Sequence, residues 1–382
     1  MQICVFFATF AENFNYSMAL TRTYYRVAEH LFAVESSYSE LLQCMTNYKP
    51  FAVEELLGER REAIGERREG EEIFTLRVEK AIGERLKARG EGWTHVTTDT
   101  ADEDMPRIEV YRSSLEDGAV RLQDASLQFR GGGWLFRVAM VANAPICCEM
   151  ECSEDFTEGV MCISADCQDV RFCVDNALML LFAFRTAPLM TLEMHAAVVV
   201  RPSLEDARGT SYRTPSGLQD ATLQAKGERR EVKGYLFLGH SGTGKSTHAR
   251  MWLQAFPNAW LLNDDNPILR VMDDGEVRVY GSPWSGKTPC YNNAYTRVGG
   301  IVKLSQAPHN KIRTISLPEA YAYMLSSASG LKMDRQMADG MYETIKHVIT
   351  HVKCYHLDCL PNTEAAEVCY AGISAERHNL TE

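Results

Sequence analysis

Eight consecutive residues carry the clearest chemical signal in the chain: Gly239-His240-Ser241-Gly242-Thr243-Gly244-Lys245-Ser246. They match G-x-x-x-x-G-K-[ST] in full. Glycines let backbone N–H groups turn inward around phosphate oxygens. A helix that starts at the end of such a loop adds the positive potential of its N-terminus. Lys245 then reaches the β- and γ-phosphates, and the Ser246 hydroxyl holds Mg²⁺. A second signal follows where the apolar run Trp260-Leu261-Leu262 ends in Asn263-Asp264-Asp265. A carboxylate at the end of a neighbouring strand is what a Mg²⁺–nucleotide site needs opposite the loop.

The flanking residues predict the elements that must hold these groups. Tyr235 to Leu238 reads as a buried strand leading into the loop. Ala249, Trp252, Leu253 and Phe256 recur at helical spacing after it. Leu192 to Val200 reads as one strand with His195 near its start. Ile268 to Val271 and Val277 to Tyr280 flank Asp273-Asp274-Gly275, a hairpin signal. Ile301 to Leu304 and His356 to Asp358 are further strands. Helices are expected over Leu317 to Ala328, Asp334 to Ile349 and Thr363 to Tyr370. The segment Gly281-Ser282-Pro283-Trp284-Ser285-Gly286-Lys287-Thr288-Pro289 is loop-like, and Lys287 is a candidate phosphate or substrate cation.

The first half is strand-rich, with short β-like runs such as Thr21–Ala28, Ile73–Val78, Ile108–Tyr111 and Trp134–Val141. Asn176 to Phe184 looks helical. Gly-Glu-Arg-Arg recurs at 58–61, 65–68 and 227–230. These units are too short and polar for solenoid repeats. The low-complexity stretch from about Glu54 to Met105 is expected to be largely mobile, because it can bury little to offset its ordering entropy. The expected organisation is an extension at 1–20, a strand-rich region at 21–190, and a P-loop domain at 191–382 with an inserted loop near 203–231.

A chain of 382 residues is long for a single domain and suggests two. The net charge of −11 argues against a nucleic-acid-binding surface. The longest apolar run, Ala177 to Phe184, stops at Arg185 and is too short to cross a bilayer. The N-terminal apolar run has no Lys or Arg before it, so it makes a poor signal peptide, and a cytoplasmic location is expected. Six cysteines fall between Cys147 and Cys173 without a C-x-x-C pair. They read as small apolar core residues ahead of a zinc site.

Met194-His195-Ala196-Ala197-Val198, then GYLFLGHSGTGKST, then LLNDD, is similar to the C-terminal catalytic domain of HPr kinase/phosphorylase. That domain shares its P-loop architecture with phosphoenolpyruvate carboxykinase. The resemblance covers roughly residues 191–305. It implies a mixed α/β fold of the HPr kinase/phosphoenolpyruvate carboxykinase type. It implies ATP and Mg²⁺ as cofactors, with Gly239 through Thr247 on the triphosphate and with Ser246 and one of Asp264 or Asp265 on the metal. The other aspartate, helped by His195, takes the proton of an acceptor hydroxyl. The implied catalytic set is Asp264, Asp265, His195 and Lys245. The acceptor is a serine of a protein or peptide, or a small metabolite. A glycine-rich signature tied to phosphorylase activity is replaced here by GSPWSGKTP. The expected partners are ATP and this acceptor, with homo-oligomerisation open and neither nucleic acid nor membrane among them. A carboxykinase-like enzyme and a non-catalytic ATP-binding module are the competing readings.

Overall fold

The computed structural model describes residues 20–53, 72–80, 93–99, 106–113, 120–121, 128–129, 133–202, 219–220, 224–225, 228–229, 232–286 and 288–378. The chain is mixed α and β, with sheets dominating. Two large sheets carry it. The first is built from β1 (Thr21–Val27), β2 (His30–Ser36), β3 (Glu72–Lys80), β4 (Trp93–Asp99), β5 (Arg107–Ser113), β6 (Gly133–Ala139), β7 (Ile146–Ser153) and β8 (Glu158–Ile163). Their order is β1-β2-β3-β8-β7-β6-β5-β4. Phe74, Leu76 and Val78 alternate inward along β3 and are at most 2% exposed. Period-2 alternation of this kind specifies a strand with one buried face.

Within the stretch from about Glu54 to Met105 that was expected to be largely mobile, two segments are strands of this sheet. Glu72–Lys80 lies in the middle of the sheet, and Trp93–Asp99 forms its edge. The apolar residues of β3 bury enough surface to hold it, at about 1.5–3 kcal/mol for each fully buried large side chain. The neighbouring 54–71, 81–92 and 100–105 lie outside the described residues, as does most of the expected insert at 203–231.

A helix, α1 (Val170–Thr186), crosses the first sheet and touches the second. Val170–Leu189 is apolar enough by composition to span a membrane, with a mean hydropathy of 1.3. Its apolar side is taken up inside the fold instead, with Leu178, Leu181 and Phe182 fully buried. Phe182 lies 6.3 Å from Phe32 of the first sheet and 5.3 Å from Trp284 of the second region, ring to ring.

The second sheet contains β9 (Thr191–Glu193), β10 (Ala196–Pro202) and β11 (Val232–Leu238), the last leading into α2 (Lys245–Ala255). Then come β12 (Trp260–Asn263), β13 (Ile268–Val271), β14 (Val277–Tyr280), β15 (Ala294–Gln306) and β16 (Lys311–Thr314). Helices α3 (Leu317–Ser327) and α4 (Arg335–His351), strand β17 (Cys354–Cys359) and helix α5 (Thr363–His378) complete it. The order β9-β13-β14-β15-β11-β10-β12 places the loop-bearing strand β11 centrally, parallel to β15 and antiparallel to β10. Along its second half β15 also pairs in parallel with β17.

The expected single strand from Leu192 to Val200 is two strands. β9 leaves to pair with β13, whereas β10 pairs with β11 and β12. The break falls at Met194-His195. There Met194 bridges Ala328, His195 N donates to Ser327 O at 2.7 Å, and Ala196 N donates to Asp265 O at 2.8 Å. Local apolar pattern cannot show this switch, because both halves are equally buried.

Candidate active site

The glycine loop follows β11 directly. Gly242 has φ +77° and Gly244 has φ +105°, and a Cβ added at either would meet nothing within 4 Å. Glycine is thus required there by backbone conformation and not by space. Gly244 caps α2 without any side-chain acceptor. The first-turn amides therefore face outward unclaimed by a cap, which is the arrangement an anion needs at a helix start. Gln306, at the end of β15, holds the loop from behind through Gly242 O at 3.2 Å and Thr243 O at 3.4 Å. This geometry fits a polyphosphate.

Lys245 is buried at the start of α2. Its Nζ donates to Gly239 O at 2.9 Å and lies 2.9 Å from His195 Nε2. Burial lowers its pKa, Asp265 opposes that, and a second lysine, Lys303, adds to the lowering. Lys303 stands on β15 in register with Leu238 of β11. The sequence reading missed it, since only strand pairing brings Lys303 to the loop.

The two aspartates part company. Asp264 is 3% exposed, and its carboxylate is engaged by the 285–288 loop. Its Oδ1 accepts from Ser285 Oγ at 2.8 Å and Gly286 N at 3.0 Å, and Oδ2 accepts from Thr288 N at 3.2 Å. Asp265 instead faces His195, with Oδ1 3.4 Å from Nε2. Burial raises its pKa, Lys245 opposes the rise, and Asp264 adds to it. Buried Asn263 organises the turn. Its Oδ1 accepts from the amides of Asp265 and Asn266, both at 2.9 Å. Lys287 lies outside the described residues, although its neighbours Gly286 and Thr288 bind Asp264.

His195 is the junction between this cluster and a cavity of about 560 Å³. The cavity does not reach the glycine loop itself. Its walls come from three places: Thr97, Ile108 and Phe136 of the first sheet, Asn176, Met179 and Ala183 of α1, and residues 326–333 at the end of α3 and just beyond it. Glu193 lines it as well. Ser329 Oγ donates to Glu193 Oε1 at 3.4 Å, while Oε2 finds no hydrogen-bond partner among the described residues. Burial, reinforced by Asp265, pushes Glu193 up to about 8, so it is a neutral acid at pH 7. Sequence reasoning also missed Glu193; its signal was an acidic residue inside an otherwise apolar strand. Burial, helped by Lys245 and His240, holds His195 at about 4, so its imidazole is neutral. With Lys245 donating, His195 Nε2 is the acceptor and Nδ1 carries the proton.

The first region supports the site through Trp284. Trp284 Nε1 donates to Tyr48 OH at 2.8 Å, and Asn47 Nδ2 donates to Pro283 O at 2.9 Å. Ser285 follows Trp284 directly, so these contacts fix the loop that holds Asp264. No protein-family model matches the chain, and a search of curated proteins returns no match.

Proposed function

We propose that this protein is an ATP- and Mg²⁺-dependent kinase of the HPr kinase/phosphoenolpyruvate carboxykinase type, transferring the γ-phosphoryl group to an acceptor hydroxyl. One observation carries the reading. Lys245, His195 and Asp265 meet behind a glycine loop suited to polyphosphate, and His195 also lines a cavity large enough for an acceptor.

The amides from Gly242 to Thr247 would hold the phosphates. Ser246 and the remaining lone pair of Asp264 Oδ2 would hold Mg²⁺. Bound Mg²⁺–ATP supplies a transferable phosphoryl group and neutralises the charge that develops on it. Lys245 adds a cation beside that charge. Asp265 accepts the acceptor's proton; its raised pKa brings a carboxylate closer to the optimum for a general base. Neutral His195 accepts from Lys245, which fixes that ammonium beside Asp265, and its ring lines the cavity where the acceptor enters. The neutral Glu193 carboxyl offers the acceptor a hydrogen-bond donor inside the cavity.

The test presents purified protein with Mg²⁺ and γ-labelled ATP, seryl peptides and hydroxylated metabolites, and in parallel with oxaloacetate. Labelled phosphate on a hydroxyl acceptor is the expected result. ATP-dependent release of phosphoenolpyruvate with no phosphorylated hydroxyl product would overturn the kinase reading in favour of the carboxykinase one.

A further inference from the structure

Four cysteines that are scattered in sequence meet at the start of α1. The sulfurs of Cys147, Cys148 and Cys173 all lie within 4.8 Å of one another, and Cys167 Sγ is 3.4 Å from Cys173 Sγ. Adjacent residues on a strand normally point to opposite faces. Here Val138 pairs with Cys148 and Ala139 with Ile146, which leaves Cys147 as the extra residue of a β-bulge. Such a bulge re-aims a side chain, and this one brings both thiols to the same side. Cys167 is delivered by a short turn whose Ser164 N donates to Cys147 O at 2.8 Å, and Cys167 N donates back to Ser164 O at 3.0 Å. Cys173 comes from the first turn of α1, which Asp169 caps through Phe172 N at 2.9 Å. Three sulfurs thus lie within 4.8 Å of one another, and a third chain segment sets Cys167 beside Cys173 at their edge.

We propose that Cys147, Cys148, Cys167 and Cys173 form a tetrathiolate site for Zn²⁺, independent of the nucleotide site. Four thiolates about 2.3 Å from a tetrahedral zinc stand about 3.8 Å apart; the Cys147–Cys148–Cys173 cluster and the Cys167–Cys173 pair are on that scale, and metal binding draws Cys167 in from its turn to complete the set. A disulfide needs sulfurs at about 2.05 Å, well inside the Cys167–Cys173 distance. The four thiols bind the ion as thiolates and release their protons to solvent, so no oxidant or reductant is consumed. The ion ties the N-terminus of α1 to the bulged strand. It thereby sets the helix that supplies Asn176, Met179 and Ala183 to the cavity wall.

The experiment uses the full chain purified under reducing conditions. About one zinc per chain should survive dialysis against a weak chelator, as a closed structural site retains its metal. Exchange with Co²⁺ should give the thiolate-to-cobalt charge-transfer absorption and the intense visible bands of a tetrahedral site. Cys173→Ser and, at the least buried position, Cys167→Ser should each lose both signals, whereas Cys359→Ser should keep them. Absence of zinc together with absence of the cobalt bands in the parent protein overturns the proposal, and so does a Cys167–Cys173 disulfide found by mass spectrometry in its place. Retention of both signals by a folded Cys167→Ser and Cys173→Ser overturns it as well. The parent measurements do not depend on any variant folding or on kinase activity.

Discussion

Lys245 Nζ lies 2.9 Å from His195 Nε2, although the two residues are fifty positions apart. The contact requires the break between β9 and β10, which turns His195 toward the glycine loop. It also has an electrostatic consequence, since Lys245 helps hold His195 at about 4. Lys245→Ala should therefore move the His195 titration upward, short of its ordinary value because burial is the larger cause. The same variant should weaken ATP binding in calorimetry even without metal. A His195 NMR titration unchanged by Lys245→Ala would contradict the geometry.

Asp264 and Asp265 should respond differently to the same substitution. Asp264→Asn replaces an accepting oxygen with a donor within reach of the Thr288 or Gly286 amide. A buried network broken in this way costs about 1–3 kcal/mol. Asp265→Asn should leave urea unfolding nearly unchanged and abolish phosphoryl transfer. Equal stability losses in the two variants would remove the distinction.

Turnover should fall on the acid side at a pH above that of an ordinary carboxylate. Asp265 must be ionised to act as base, and burial raises its pKa above 3.8. As pH falls through that raised value, Asp265 gains a proton and activity is lost. A kcat/KM profile with its acid limb at or below 3.8 would exclude Asp265 as the group responsible.

Glu193 should make its own mark on stability. Its folded pKa of about 8 exceeds the ordinary 4.5, so the folded state holds the proton more tightly. The stabilisation is complete below 4.5 and is lost as pH rises toward about 8. Glu193→Gln carries no titrating proton there. Its stability relative to the parent should rise across that window in urea unfolding followed at several pH values. A pH-independent difference would refute the buried neutral acid.

Gly244→Ala isolates the backbone requirement of the loop. Space is available at this position, but φ +105° is not open to an ordinary side chain. The strain is about 1–3 kcal/mol. The variant should lose most ATP affinity while keeping native circular dichroism. Undiminished binding would show that the left-handed turn is dispensable.

The glycine loop was legible in the sequence because everything that shapes it is contiguous. Strand, glycines, lysine and helix start follow one another, and backbone conformation at Gly242 and Gly244 is a property of the glycines themselves. The hairpin at Asp273-Asp274-Gly275 was legible for the same reason. Beyond local range the sequence was silent or misleading. Leu192–Val200 looks like one strand, and only competing pairings with β13 on one side and β11 and β12 on the other split it at His195. Asp264 and Asp265 are equivalent by composition; the 285–288 loop, braced through Trp284 against Tyr48, claims the first and leaves the second facing Lys245. Lys303 reaches the site only through strand register. Cys147 and Cys148 join Cys167 and Cys173 only because a bulge overrides strand alternation. Glu193 becomes a neutral acid only when the first sheet, α1 and the segment after α3 close around it. Each of these is set by long-range pairing and burial, which depend on residues far along the chain and not on the neighbours a local pattern can register.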